Sequence, residues 1–203
     1  RAGMGGLISI AILAGGQSSR MGTNKAFVEV GGKPIIERIL GQVKDLGEEL
    51  LIVANEPEAY AHLGLPVVPD LIPSKGPLGG LYTAILASQG EHTLVVSCDQ
   101  PFLNRDLLRY LIGLRAGYDV VVPLNRDGYP QSMYAIYGKR CAEPIRHRIE
   151  ADQLKVIGFF PEVRVREVAG PEIDQFDPER VSFFNVNTPA DLIEAQRLAA
   201  RLD

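Results

Sequence analysis

Histidine is scarce in this chain and cysteine scarcer, and both shortages remove classes of chemistry. His62, His92 and His147 are the three histidines among 203 residues. None stands with a serine, cysteine or acid in a recognisable catalytic arrangement, so all three read as surface or packing residues. No H-E-x-x-H, C-x-x-C or G-x-S-x-G motif occurs, which leaves zinc hydrolysis and side-chain nucleophiles without support. The two cysteines, Cys98 and Cys141, lie far apart and read as buried thiols in a reducing cytosol rather than as a disulfide or metal site. Basic residues are in the minority: 21 Lys and Arg against 25 Asp and Glu give a net charge of −4, so nothing in the charge points to nucleic acid. No apolar run approaches the ~20 residues of a membrane span. The opening Arg1-Ala-Gly-Met-Gly-Gly6 also lacks the apolar centre of a secretory signal. The expectation is a cytoplasmic protein with neither a nucleic-acid nor a membrane partner. Its length suits one domain over residues 1–203, with residues 1–6 a disordered or appended tail and Met4 the natural start.

What is present is ordinary globular composition, 46% hydrophobic and 23% charged, arranged as alternating strands and helices. Leu7 to Leu13 is an apolar run that reads as a buried strand. Ala26 to Val30 reads as a short extended piece. A helix follows, with Pro34 in its first turn, Ile35, Ile36, Ile39, Leu40, Val43 and Leu46 on one face, and Gly47 closing it. Further strands are expected at Leu50–Ala54, Leu65–Asp70, Thr93–Ser97 and Asp119–Pro123. A glycine-rich turn, Ser74 to Gly80, leads into a helix from Leu81. Asn104 caps the helix Arg105–Leu114. Asn125 to Gly128 reads as a turn before the extended run Met133–Tyr137. Helical segments follow at Lys139–Glu150, broken near Pro144, and at Leu154–Phe160, with strands at Val163–Val168 and Phe183–Asn187. Thr188-Pro-Ala-Asp191 opens a C-terminal helix as a capping-box-like start. Strand, helix and strand in alternation ask for a parallel sheet with crossover helices. The less regular second half suggests a small antiparallel annex.

The polar residues gather where such a sheet binds ligands, outside the carboxyl ends of its strands. The first strand runs into Leu13-Ala-Gly-Gly-Gln-Ser-Ser-Arg-Met-Gly-Thr-Asn-Lys25. Backbone amides of a glycine-rich turn hold phosphate oxygens, and Arg20 and Lys25 add positive charge. The spacing is neither a Walker A loop nor G-x-G-x-x-G. Asn55, Asp70 and Asp99 stand at the ends of later strands. Asp99 follows four apolar residues on an expected central strand, a costly place for a carboxylate unless a cation pairs it. Mg²⁺ suits it, because that ion takes one or two carboxylates together with substrate phosphates. Phosphoryl or nucleotidyl transfer fits this inventory, since it needs positioning and charge neutralisation more than a side-chain nucleophile. An attacking phosphate monoester, with ~1.5 to 2 negative charges at pH 7, needs no strong base.

The motif Leu13-Ala-Gly-Gly-x-Ser-x-Arg-Met-Gly-x-x-Lys25 resembles the signature of nucleotidyltransferases with a Rossmann-like, three-layer α/β fold. Gly76-Pro-Leu-Gly-Gly80, Cys98-Asp-Gln-Pro-Phe102 and Asn185-Val-Asn-Thr-Pro189 are similar to the molybdenum cofactor guanylyltransferase family, and the likeness runs from Ser9 to the final helix. The resemblance implies GMP transfer from GTP, with Mg²⁺, to the phosphate of molybdopterin, with release of pyrophosphate. It implies that Leu13, Ala14 and Gly15 contact the nucleotide and that Lys25 neutralises its phosphates, with Arg20 beside it. Asn55 and Asp70 become nucleotide contacts, to base or ribose. Asp99 becomes the Mg²⁺ ligand, and Asn185 and Asn187 the acceptor side. A labile, bulky acceptor implies an open groove or a delivery protein of molybdenum cofactor biosynthesis. The nearest alternative is the cytidylyltransferase acting on the same pterin, which shares the first motif.

Overall fold

The apolar run at the start of the chain becomes strand β1 (Ile8–Leu13), and the other layers are laid on either side of it. The computed structural model describes residues 6–14 and 24–203. Arg1 to Gly5 and the loop residues Gly15, Gly16, Arg20 and Gly22 lie outside the described residues. Beyond the loop come a 3-10 turn (Lys25–Phe27) and a small hairpin of β2 (Glu29–Val30) and β3 (Lys33–Pro34). Then follow α1 (Ile35–Val43), β4 (Glu49–Val53), a 3-10 turn (Pro57–Leu63), β5 (Val67–Val68), α2 (Gly76–Ala87) and β6 (His92–Ser97). The second half holds α3 (Arg105–Gly113), β7 (Val120–Pro123), β8 (Tyr134–Gly138), α4 (Ala142–Glu150), β9 (Val165–Val168), α5 (Gly170–Asp174) and α6 (Pro189–Leu202).

Seven strands form one sheet in the order β5-β4-β1-β6-β8-β7-β9. Six run the same way and β8 alone is reversed, antiparallel to both neighbours. The antiparallel part of the second half is therefore a single strand inside a continuous sheet. A parallel neighbour requires a crossover, and the crossovers cover both faces. Alternate β1 residues divide accordingly. Ile8, Ile10 and Ile12 join Ile35, Leu107 and Ala195 in one core. Ala11 joins Leu78, Ile85 and Ile145 in the other. Helices α1, α3 and α6 thus cover one face, and α2 and α4 the other. From β1 the chain winds first toward β4 and β5 and then crosses back to β6, so the order reverses between β1 and β6. A crevice opens at such a switch point, at the carboxyl ends of the strands.

Several local expectations shift. Residues 25–27 form a 3-10 turn rather than extended chain, and Pro34 pairs with Glu29 in the small hairpin instead of entering α1. Helix α1 stops at Val43, before Leu46. Gly76–Gly80 of the glycine-rich stretch is itself the first turn of α2, which Gly76 enters at φ +59°. Pro144 breaks nothing: it is the third residue of α4, where a backbone N–H would lack an intrahelical acceptor anyway. Phe183 to Asn187 is not a strand. A 3-10 turn covers Val181–Phe183, and beyond Phe184 the backbone is tied by Val186 N to Asp99 O at 2.7 Å and Asn187 N to Asp191 Oδ2 at 2.9 Å. The capping box is present as expected. Thr188 Oγ1 accepts from Asp191 N, and Asp191 Oδ2 accepts from Thr188 N, at 3.1 and 3.0 Å.

Candidate functional site

Register sets the site. Leu13 pairs with Ser97 across β1 and β6, and Cys98 N donates to Leu13 O at 3.1 Å. Ala14 and Cys98, the latter followed by Asp99, therefore leave the sheet side by side. The 3-10 turn that ends the loop delivers Lys25 to the same place. Asn24 caps that turn, its Oδ1 accepting from Ala26 N at 3.0 Å. The Lys25 ammonium donates to Asp99 Oδ1 at 2.8 Å and to Asn187 Oδ1 at 2.7 Å. The lysine side chain is 13% exposed and the aspartate 43%. The ion pair thus sits at a wall, its carboxylate open to a ligand.

Asn187 reaches Lys25 because α6 is capped. Asp191 Oδ2 accepts from the backbone N–H groups of Asn187 and Thr188 at 2.9 and 3.0 Å, fixing the backbone from which the Asn187 amide projects. Those hydrogen bonds, the one from Asn187 N foremost, hold the Asp191 carboxyl below its ordinary value. Cys98 contributes no nucleophile. Burial pushes its thiol well above the usual range, and the Asp99 carboxylate adds to the rise.

Asn55 and Asp70, at the ends of β4 and β5, clasp each other. Asn55 Nδ2 donates to Asp70 Oδ2 at 3.1 Å, and Asp70 N donates to Asn55 Oδ1 at 2.9 Å. Both ends of the Asn55 amide are committed to Asp70. In α2 nearby, a Cβ on Gly79 would sit 3.0 Å from Lys75 Cβ, so this glycine permits a close approach of chain to helix. Asn185 points elsewhere than Asn187. It lies on a groove of about 530 Å³ whose lining includes Asp99, Gln100, Asn125, Tyr129 and Gln131. Gln100 is 4% exposed, and among the described residues its Oε1 has no hydrogen-bond partner.

The structure therefore brings together Lys25, Asp99 and Asn187, pairs Asn55 with Asp70, and sets Asn185 on the groove beside Asp99. Leu13 and Ala14 end β1 at the same edge of the sheet. Gly15 and Arg20 lie outside the described residues. Sequence reasoning passed over the groove wall between β7 and β8. Its density of amides (Asn125, Gln131) was the available signal, but turn residues carry the same composition. Tyr60, whose hydroxyl bonds to Ala14 O and to Asn24, carried no signal at all. The histidines are surface or packing residues: His92 Nε2 lies 2.8 Å from Tyr118 O, the exposed His62 ring sits 5.9 Å from that of Phe27, and His147 is exposed on α4.

The donor set tests which metal would fit. Among the described residues no group of three or more His, Cys, Asp or Glu converges on one point, which does not suit a metal held by protein ligands alone. A single half-exposed carboxylate, Asp99, suits Mg²⁺, which keeps waters and takes the rest of its ligands from substrate phosphates. Among the described residues no helix is long and apolar enough to cross a membrane.

Residues 10–159 match the model of the MobA-like NTP transferase domain. The chain is 42% identical over 188 residues to a probable molybdenum cofactor guanylyltransferase from Pelotomaculum thermopropionicum, covering 93% of this chain and 91% of that one. It is 37% identical over 184 residues to a protein of the same description from Carboxydothermus hydrogenoformans, covering 91% and 92%. Among solved structures it resembles molybdopterin-guanine dinucleotide biosynthesis protein A from Archaeoglobus fulgidus. There the TM-score is 0.83 at 26% identity, with 96% of this chain and 100% of that one covered.

Proposed function

Because the chain belongs to the MobA-like NTP transferase family, we propose that it transfers GMP from GTP to the phosphate of molybdopterin and releases pyrophosphate. The observation that carries this reading is the Lys25 ammonium held between Asp99 and Asn187 at the β1–β6 switch point. An oxygen of the acceptor phosphate attacks the α-phosphorus of GTP, the bond from that phosphorus to the bridging oxygen breaks, and pyrophosphate leaves with the electron pair. The acceptor oxygen is already anionic, so no side chain has to remove a proton from it. The absence of a histidine from the site agrees with that.

Each residue has a role in this scheme. Leu13, Ala14 and Gly15 present backbone to the nucleotide, and Arg20 adds charge over its phosphates. Lys25 is the cation of the site, held on two sides. Asn187 Oδ1 and Asp99 Oδ1 hold two of its three N–H bonds, which leaves one for a phosphate oxygen, with a second released where Asp99 would hold Mg²⁺. Asp99 would hold Mg²⁺ together with phosphate oxygens. When bound, that ion neutralises charge on the leaving group. Asp70 contacts the nucleoside and Asn55 orients it. Asn185 lies on the acceptor side, in the groove with Gln100, Asn125 and Gln131. Carboxamides both donate and accept, which matches a bicyclic ring presenting both kinds of group.

Pyrophosphate release from purified protein with molybdopterin, Mg²⁺ and each nucleotide in turn tests the assignment. GTP should support turnover and give the largest Mg²⁺-dependent thermal shift. Faster release with CTP would make the protein a cytidylyltransferase.

A further inference from the structure

Four carboxamides line the groove beside Asp99, and three of them spend one end on the backbone nearby. Asn125 Oδ1 accepts from Asp127 N and Tyr129 N at 3.0 and 2.9 Å. Gln131 Nε2 donates to Tyr129 O at 3.2 Å, and Asn185 Nδ2 donates to Phe183 O at 3.1 Å. Gln100 is the exception. It is 4% exposed, yet among the described residues neither end of its carboxamide has a hydrogen-bond partner, and its Oε1 is fully buried. A buried acceptor left unpaired is rare and costly in a folded chain. The backbone that carries it is pinned. Gln100 N donates to Ser97 O at 3.3 Å, and Val186 N holds the carbonyl of Asp99 at 2.7 Å. Cys98 and Phe102, two residues to either side, are buried in the core. One fixed and unspent donor–acceptor pair therefore stands in the wall of the groove, next in the chain to Asp99.

We propose that Gln100 is the specificity-determining residue of this groove, its carboxamide pairing edge-on with the ring of the acceptor. This rests on the proposed reading of the groove as the acceptor side. A glutamine amide forms two hydrogen bonds with a heterocycle edge that sets a donor beside an acceptor, as it does on adenine. A pterin offers the same arrangement, with N–H groups beside a carbonyl and ring nitrogens. Pairing satisfies the buried Oε1, so part of the cost carried by the free protein is recovered on binding. A phosphate monoester without such a ring leaves the amide unpaired, and a site built around a hydrogen bond rejects the ligand that lacks it. Lys25 and Asp99 serve the phosphates, which all such acceptors share. Gln100 reads the ring, which they do not.

Gln100→Met keeps an unbranched side chain of the same length and removes both hydrogen-bonding atoms. Its Kd for molybdopterin, measured by calorimetry with Mg²⁺ and α,β-methylene GTP to block transfer, should rise roughly 5- to 50-fold. KM for molybdopterin should rise in step, with Kd for GTP within twofold of wild type. Tm should hold or increase, because methionine leaves no buried polar atom unpaired. Gln100→Asn draws the amide back by one carbon and serves where Gln100→Met fails to fold; its Kd for molybdopterin should rise roughly 3- to 20-fold. A glutamine that only supports the fold predicts the reverse, a lower Tm with Kd unchanged. A Kd for molybdopterin within twofold of wild type in the folded variant overturns the proposal. Wild-type protein that binds molybdopterin but releases no pyrophosphate with GTP overturns the functional reading alone, since the comparison of Kd values still decides the role of Gln100. Wild-type protein that binds no molybdopterin overturns both.

Discussion

Two lysines at opposite ends of the same strand have taken opposite fates. Beyond the carboxyl end of β6, Lys25 is paired with a carboxylate and a carboxamide that line the site. At the amino end, Gly138 pairs with His92, and the next residue, Lys139, donates to the carbonyls of Ile85 and Ser88. Those carbonyls end α2 and have no further helical turn to bond, so a cation there satisfies them and meets the negative end of the helix. Desolvation lowers the Lys139 pKa below its ordinary value, with Glu49 and Glu91 acting against the fall. Every partner of Lys139 belongs to the fold, whereas every partner of Lys25 belongs to the site. Under the proposed function, the identity of the partner, more than burial, separates the structural lysine from the functional one.

That contrast breaks most sharply at Lys25 and Asp99. Removing preorganised charge of this kind lowers rate by ~10²–10³, so Lys25→Ala and Asp99→Ala should each lose that much kcat while Tm stays close to wild type. Asn187→Ala leaves the ion pair but frees the lysine on one side. Loss of one hydrogen bond to a charged group predicts a fall in kcat of roughly tenfold, measured under saturating GTP. Lys139→Met should do the reverse. It abandons two carbonyls for a loss of about 1.5–3 kcal/mol, a Tm lower by roughly 3–12 °C for a chain of this size, with turnover preserved. The smallest effect concerns Asp191, whose folded pKa lies below its ordinary 3.8. The unfolded chain takes up that proton first. The stability it supplies is complete above pH 3.8 and is lost as pH falls through the folded value. Asp191→Asn should flatten the acid side of the stability curve, read as Tm against pH.

How much of this was legible depended on how local the cause was. Strands β1 and β6 declared themselves because near-continuous apolar runs admit few other readings. The α6 capping box was legible because all its partners lie within four residues. Asp99 stood out as a carboxylate ending an apolar strand. Phe183 to Asn187 misled because extended, apolar-rich chain carries no mark of whether a neighbouring strand exists. There Val186 N donates to the Asp99 carbonyl and Asn187 N to the Asp191 carboxylate, and among the described residues no strand runs alongside. Asn187 was assigned to the acceptor, but its amide reaches Lys25, a contact across 162 residues that no local pattern encodes. The hydrogen bonds of Tyr60 to Ala14 and Asn24 are hidden for the same reason, as is the pairing of Asn55 with Asp70.

In the proposed reaction Lys25, and not the equally paired Lys139, serves guanylyl transfer. Pyrophosphate release with GTP, molybdopterin and Mg²⁺, compared among wild type, Lys25→Met and Lys139→Met, tests it most directly. Wild type and Lys139→Met should release pyrophosphate at the same rate below their melting temperatures, and Lys25→Met at no more than ~1% of it. Folded Lys25→Met turning over within tenfold of wild type would contradict the account.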